Sequence, residues 1–420
     1  MKSVIDVAII GMGGRGWDAY GRALKQLTDR ARIVAIADLD PKKRQEAGKE
    51  LGVAEEFRFA SAEEMLQRER LADVMLVCSQ DQQHVGHAIP AMEKGYHILM
   101  EKPISPYPEE CKRLLEAARR TGSKVAVGHV LRYSPFYRKI KEIIGSGILG
   151  ELMVVQGIEN VAYWHQAHSY VRGNWRDSRT SSPMLLAKCC HDMDLMVWLT
   201  GRRCRRVSSF GSLGHFTPEH APEGAGMRCL ECGAKEDCPY DAEKIYIYNK
   251  GTGVACGNTS WPCNILDIHP TEESIRKALE TGPYGRCVYH CDNNVVDHQV
   301  VNLDMEGGLT VNFTMSGFTG ELGRYTKYMG TKGSMIGDLE AGIIHVTPFG
   351  RETVTYDFNQ EGMSGHGGGD TVFVKEFLDY IQGAQPEGIT TLEESLESHF
   401  IAFAAEESRL AGGQCVEIRR

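Results

Sequence analysis

Short apolar runs recur at residues 4–10, 33–37, 74–78, 97–100 and 125–127. Between them, 20–28, 41–51, 62–68, 84–94 and 108–121 have helical spacing or helix-forming composition. Parallel strands need a crossover of helix length between them, so this alternation predicts a doubly wound parallel sheet. From about residue 150 the pattern changes. Segments at 152–161, 300–304 and 309–316 alternate apolar and polar positions, which predicts an open, mostly antiparallel sheet with one face under helices. A helix is expected at 189–199 inside this half, and two more, at 371–382 and 392–409, close it. Residues 215–294 fit neither period. They are rich in Gly, Pro and Cys and read as an insertion. The expected class is α/β, with one domain over 1–128 and a second, α+β domain over 129–420.

Composition narrows the function without naming it. The 420 residues are 42% hydrophobic and 25% charged, as in ordinary globular proteins. A net charge of −9 with no long basic run argues against nucleic acid or an anionic membrane as a partner. The short basic stretch Arg202-Arg203-Cys204-Arg205-Arg206 follows a predicted helix and reads as cations near its C-terminus. The N-terminal apolar run contains Asp6 and meets Gly11 instead of a cleavage site, so it reads as a first strand and not a signal peptide. No apolar stretch approaches the ~18 residues of a membrane span. A cytoplasmic location follows as the expectation, and with it thirteen cysteines held as thiols or metal ligands.

Gly11-Met12-Gly13-Gly14-Arg15-Gly16 follows the first strand and opens the first helix, matching G-x-G-x-x-G. Gly11 allows the tight turn, Gly13 lets a diphosphate approach the backbone, and Gly16 lets helix and strand pack closely. Gly14 and Arg15 complete the loop, whose helix N-terminus favours anions. Asp38, at the end of strand two, suits the hydroxyls of an adenosine ribose and repels a 2′-phosphate. The reading is a Rossmann domain that binds NAD in preference to NADP, although Lys42, Lys43 and Arg44 nearby pull the other way.

Glu101-Lys102-Pro103 ends the fifth apolar run. Together with the glycine loop, Ser79–His84, Gly128-His129-Val130-Leu131-Arg132-Tyr133 and Gly147–Glu151, it resembles the Gfo/Idh/MocA family of sugar and inositol oxidoreductases over nearly the whole chain. The resemblance implies that Ser79, His84, Glu101 and Lys102 border the cofactor. It also implies that Lys102 lies between nicotinamide and substrate, where an ammonium can hold the reacting oxygen. A cis bond before Pro103 would re-aim the chain into the cleft. A second segment is Ala187-Lys188-Cys189-Cys190-His191-Asp192. Family members carry an aspartate four residues before the histidine; this chain has Ala187 there, with Lys188 three residues before His191. On a helix those two share a face, so an ammonium is expected to keep His191 neutral. Whether His191 or a lysine removes the proton stays open, and Asp192 counts among the substrate contacts.

Two loops supply further substrate candidates. One, 165–176, offers His168 and Trp175; the other, 365–370, carries His366 as part of a mobile lid and Asp370 as a helix N-cap. In the insertion, Cys229-Leu230-Glu231-Cys232 and Cys238 make half of a zinc site. A fourth ligand is available from Cys256, Cys263, Cys287, Cys291 or His215. Free thiols packed as small hydrophobes are the preferred reading, with no metal assigned. The function that results is NAD-dependent hydride transfer with a secondary hydroxyl of a sugar, glycoside or inositol. A redox-type glycosidase that oxidises its sugar transiently is the alternative, supported by the resemblance of Gly-His-Gly-Gly-Gly-Asp to a motif of such enzymes. A nucleotide-sensing regulator is the third reading. A homodimer or homotetramer through the open sheet is expected.

Overall fold

The computed structural model describes residues 4–358 and 366–420; residues 1–3 and Gly365 of the expected lid lie outside them. The first sheet holds β1 (Ile5–Ile10), β2 (Ala31–Ala37), β3 (Arg58–Phe59), β4 (Val74–Val77), β5 (His97–Met100) and β6 (Val125–Val127). Its order is β3-β2-β1-β4-β5-β6, parallel throughout, so the chain reverses direction of winding between β1 and β4. Ligands of such sheets lie outside the strand C-termini at that switch point. Strands β1 and β4 are almost wholly buried, which explains why their apolar runs are continuous and not alternating.

The second sheet has nine strands: β7 (Leu152–Asn160), β8 (Cys204–Ser212), β9 (His298–Met305), β10 (Thr310–Ser316), β11 (Gly323–Gly330), β12 (Gly333–Asp338), β13 (Ile343–Pro348), β14 (Val354–Asp357) and β15 (Val416–Glu417). Their order is β14-β13-β12-β11-β7-β10-β9-β8-β15, with only β7 and β10 parallel. Helices Met184–Thr200 and Leu392–Leu410 cover one face, so side chains alternate between core and surface along β7, β9 and β10. Strand β8 was not anticipated, and it changes the reading of the basic stretch. Arg205 and Arg206 stand on a strand, not at a helix end, and both pair with Asp304 of β9.

The helix expected at 189–199 starts five residues earlier, at Met184, and places Ala187 and Lys188 inside it. Helix Gly369–Ile381 lies late in the chain, yet its Phe373, Val374 and Phe377 join the core beneath the first sheet, against Tyr20 and Tyr133. At the junction Arg132 makes a two-pronged ion pair with Asp194 at 2.6 and 2.7 Å, both side chains nearly sealed from solvent. The insertion has a core of its own, built on Phe216, Tyr240, Tyr246, Ile275 and Leu279. Among the described residues no helix is long and apolar enough to cross a membrane.

Candidate active site

The glycine loop is fixed by sterics at two of its positions. Gly11 has φ +90°, and a Cβ there would lie 2.4 Å from the Cys78 carbonyl oxygen. A Cβ on Gly16 would lie 1.9 Å from the Gly11 carbonyl oxygen. Gly13 and Gly14 are the opposite case, with nothing within 4 Å of where a Cβ would stand. The loop therefore offers an open backbone cradle at a helix start, the shape and polarity a diphosphate requires. Asp38 stands at its rim, where its carboxylate accepts from the Met12 N–H at 2.6 Å and the Asp40 N–H at 2.8 Å. These residues fit a dinucleotide. Asp38→Ala is expected to lower NAD affinity about tenfold (~1.4 kcal/mol) and to narrow the gap between NAD and NADP, as read by fluorescence titration with NADH and NADPH.

Arg15 ties this loop to the rest of the cleft. Its guanidinium donates to Glu101 at 2.7 Å, to the Tyr20 hydroxyl at 2.8 Å and to Asp370 at 2.7 Å, while the Tyr20 hydroxyl also donates to Glu101. Burial opposes ionisation of Glu101, but Arg15, Lys102 and the Tyr20 hydroxyl outweigh it and hold the carboxyl below its usual range. Asp370 is likewise held low, against burial, by Arg15 and His366. Asp370 does not cap its helix. Gly368 takes that position in a left-handed conformation, and Asp370 sits in the first turn facing Arg15.

Lys102 leaves β5 through a cis Lys102–Pro103 bond, and its Nζ donates to the Ala187 carbonyl at 2.9 Å. Thus the residue that replaces the expected aspartate still meets the lysine, through its backbone. Ser79 and His84 brace the turn that carries Lys102. The His84 ring spans the carbonyl oxygens of Pro103 and Ser79, at 2.7 and 2.9 Å, and the Ser79 hydroxyl lies 3.0 Å from Nδ1 of His87.

His191 faces this lysine. Both of its ring nitrogens are buried and have no hydrogen-bond partner, and its ring lies 5.7 Å from those of His129 and His366. Burial, then Lys102, His129 and His366, pushes its pKa well below the ordinary value, so the imidazole is neutral. The ammonium behind that effect is that of Lys102, not the expected Lys188. Lys188 pairs with Glu159 at 3.0 Å, and Arg324 bridges Glu159 and Asp192, each at 2.9 Å. Asp192 is therefore locked in a buried network, where burial raises its pKa against the pull of Arg324 and Glu159 adds to the rise.

The loop 165–176 is the place where residue type misled. His168 points into the insertion, with Nδ1 2.8 Å from the Tyr246 hydroxyl and its ring stacked 4.7 Å from that of Tyr284. Burial holds its pKa at about 3. Trp175 donates its indole N–H to both Asp81 carboxylate oxygens at 3.2 Å and so bridges the domains. The cleft receives His165 instead. Its Nδ1 is buried and unpartnered, and burial, then Lys188, lowers its pKa well below the ordinary value. Trp164 stacks on it at 5.7 Å, and Trp261 of the insertion meets it edge-on at 4.8 Å. No sequence signal marks this; the structure marks it through backbone strain. Among the described residues, Ala162 and His366 alone of the non-glycines have positive φ, and they begin the segments that deliver His165 and His366.

None of the cysteines is paired in a disulfide, and Cys229, Cys232, Cys238 and Cys287 line one cavity of about 10 Å³ beside Arg172. Among the described residues no group of three or more His, Cys, Asp or Glu is arranged to hold a metal ion.

Comparison with known proteins agrees with this geometry. Residues 5–129 match the family model described as "Oxidoreductase family, NAD-binding Rossmann fold", and residues 141–417 match its C-terminal alpha/beta domain. The putative oxidoreductase YteT of Bacillus subtilis is 25% identical over 401 residues, covering 90% of this chain and 89% of that protein. An inositol 2-dehydrogenase of Corynebacterium glutamicum is 28% identical over 204 residues, 48% of this chain and 56% of that protein. The WlbA dehydrogenase of Chromobacterium violaceum, solved with NADH and UDP-GlcNAcA, superposes with a TM-score of 0.70 at 18% identity, covering 100% of this chain and 97% of that one.

Proposed function

From the premise that this chain belongs to the Gfo/Idh/MocA oxidoreductase family, we propose that it oxidises a secondary hydroxyl of a sugar, glycoside or inositol, using NAD. The reading is carried by one observation: a neutral, buried imidazole, His191, has two unpartnered nitrogens beside the Lys102 ammonium. Buried polar groups normally have partners, and an exception in a cleft marks a place prepared for a ligand's polar group. When bound on the glycine loop, NAD supplies an electrophilic nicotinamide ring that accepts a hydride.

The chain's own residues do the rest. His191 accepts the hydroxyl proton, which its depressed pKa leaves it free to do at neutral pH. Lys102 donates to the same oxygen and stabilises the negative charge that builds there. The Glu159–Arg324–Asp192–Lys188 network holds helix Met184–Thr200 against the second sheet and so fixes the angle of His191. Trp164, His165 and Trp261 present the aromatic faces against which the C–H side of a sugar ring packs. The relatives that bear the name inositol 2-dehydrogenase support a polyol class of substrate. Preference for NAD is supported by Asp38 and by the pairing of Lys42 with Asp267, 3.3 Å apart, which keeps that ammonium from a 2′-phosphate. Exposed Met153, Ile158 and Ile336 on the outer face of the second sheet suit a second copy of the chain, a matter for light scattering.

The test is a panel of sugars, glycosides and inositols incubated with NAD⁺, recording NADH absorbance and released aglycone together. One NADH per product supports the proposal; aglycone without net NADH would replace it with the redox glycosidase. Because the folded pKa of His191 is lowered, its base form persists as pH falls. The acid limb of kcat/KM is expected below pH about 6.5, the ordinary histidine value, and to vanish in His191→Ala along with most of the rate.

A further inference from the structure

The glycine loop faces a groove of about 590 Å³ whose opposite wall is not part of the Rossmann domain. That wall is the insertion: Thr259, Ser260, Asn264, Ile265, Ile268 and His269 stand across from Gly13 and Gly14. Three ties hold it there. Asn264 donates to Asp18 at 3.1 Å, Lys42 pairs with Asp267 at 3.3 Å, and the His269 ring meets Glu46. Their partners lie on the two helical segments that flank the cradle. The wall is anchored from behind as well. Cys263 is fully buried and donates its S–H to the carbonyls of Thr252 and Tyr246 at 3.1 and 3.3 Å, which ties the segment to the insertion's own core.

We infer that the insertion is a retaining wall of the dinucleotide site: residues 259–269 close over the diphosphate and adenosine portion of NAD, so that the cofactor leaves slowly. Thr259 and Ser260 offer hydroxyls on the side facing the glycine cradle, and Ile265 and Ile268 offer apolar surface. A bound dinucleotide then has protein on two sides. Release requires the Asn264, Asp267 and His269 ties to part, so the wall acts on the release rate more than on encounter. The same segment carries Trp261 to the aromatic face beside His165, so one stretch of chain borders both cofactor and substrate regions.

The experiment compares the full-length protein with the triple variant Asn264→Ala/Asp267→Ala/His269→Ala. Each is loaded with NADH and chased with excess NAD⁺ in a stopped-flow fluorimeter, with equilibrium NADH titration and a thermal melt run in parallel. The expected result is release faster by about tenfold or more, the usual direction in which contact loss acts, with the melting temperature kept. A second readout is independent of release. Freeing Lys42 from Asp267 is expected to strengthen NADPH binding relative to NADH. Unchanged release in a folded variant that still binds NADH overturns the inference. Should the triple variant melt early, single Asp267→Asn, which removes one surface tie, carries the same two readouts. Failure of the wild-type protein to bind NADH at all would instead remove the cofactor reading on which this rests.

Discussion

Replacing Lys102 with alanine is expected to lower kcat by about a thousandfold, within the range that loss of one positioned acid–base group produces, while the affinity for NADH changes by less than about threefold. The asymmetry follows from position. Lys102 lies beyond the glycine cradle and Asp38, and reaches across the cleft to the Ala187 carbonyl on the helix that carries His191. Its ammonium is also the largest charge that depresses the His191 pKa, second only to burial. Removing it therefore makes the imidazole easier to protonate, and the acid limb of the remaining activity moves to higher pH. Lys102→Ala with full turnover on the best substrate of the panel would end the catalytic assignment. A fall in NADH affinity with kcat unchanged would show that the lysine serves binding alone.

The second large effect is on stability. Arg132→Met is expected to destabilise the protein by about 3–5 kcal/mol, the cost of leaving one member of a buried ion pair without its partner. Asp194 would be that member. It is sealed on the helix Met184–Thr200, and burial already raises its pKa against the pull of Arg132. The other ion pair of Arg132, with Glu394, is half open to water and contributes little. The double replacement Arg132→Met/Asp194→Leu is expected to recover most of the loss, because both charges then leave the interior together. Urea unfolding of the three variants measures this. A single replacement costing under about 1 kcal/mol, the typical worth of an exposed pair, would mean that the junction is held by packing alone.

The first domain was legible to within a residue or two at most of its strands. Strands β5 and β6 and the helices Pro41–Leu51 and Pro108–Thr121 fall where the periodicity puts them. Parallel strands buried on both faces write their burial directly as apolar runs. The second sheet was only partly legible. Strands β8, β11 and β12 expose the apolar Phe210, Tyr325 and Ile336 and bury the polar or small Ser209, Arg324, Thr326 and Gly337, so their period is faint. The helix Gly369–Ile381 was visible as a helix, but its packing under the first sheet was not, since no local pattern specifies a partner more than two hundred residues away.

For the site, short stretches of the chain on their own determined the dinucleotide loop and Asp38, whereas the roles expected of Lys102 and His191 came from the family resemblance of the segments that carry them. Tertiary structure alone decided which groups face each other. It turned His168 and Trp175 toward partners and delivered His165, gave Lys188 to Glu159, and brought Arg324 from β11 onto Asp192. It also laid the insertion across the cofactor groove. The physical reason is that hydrogen bonds and ion pairs act over a few ångströms in space, and the fold sets those separations through contacts between segments that share no local sequence signal.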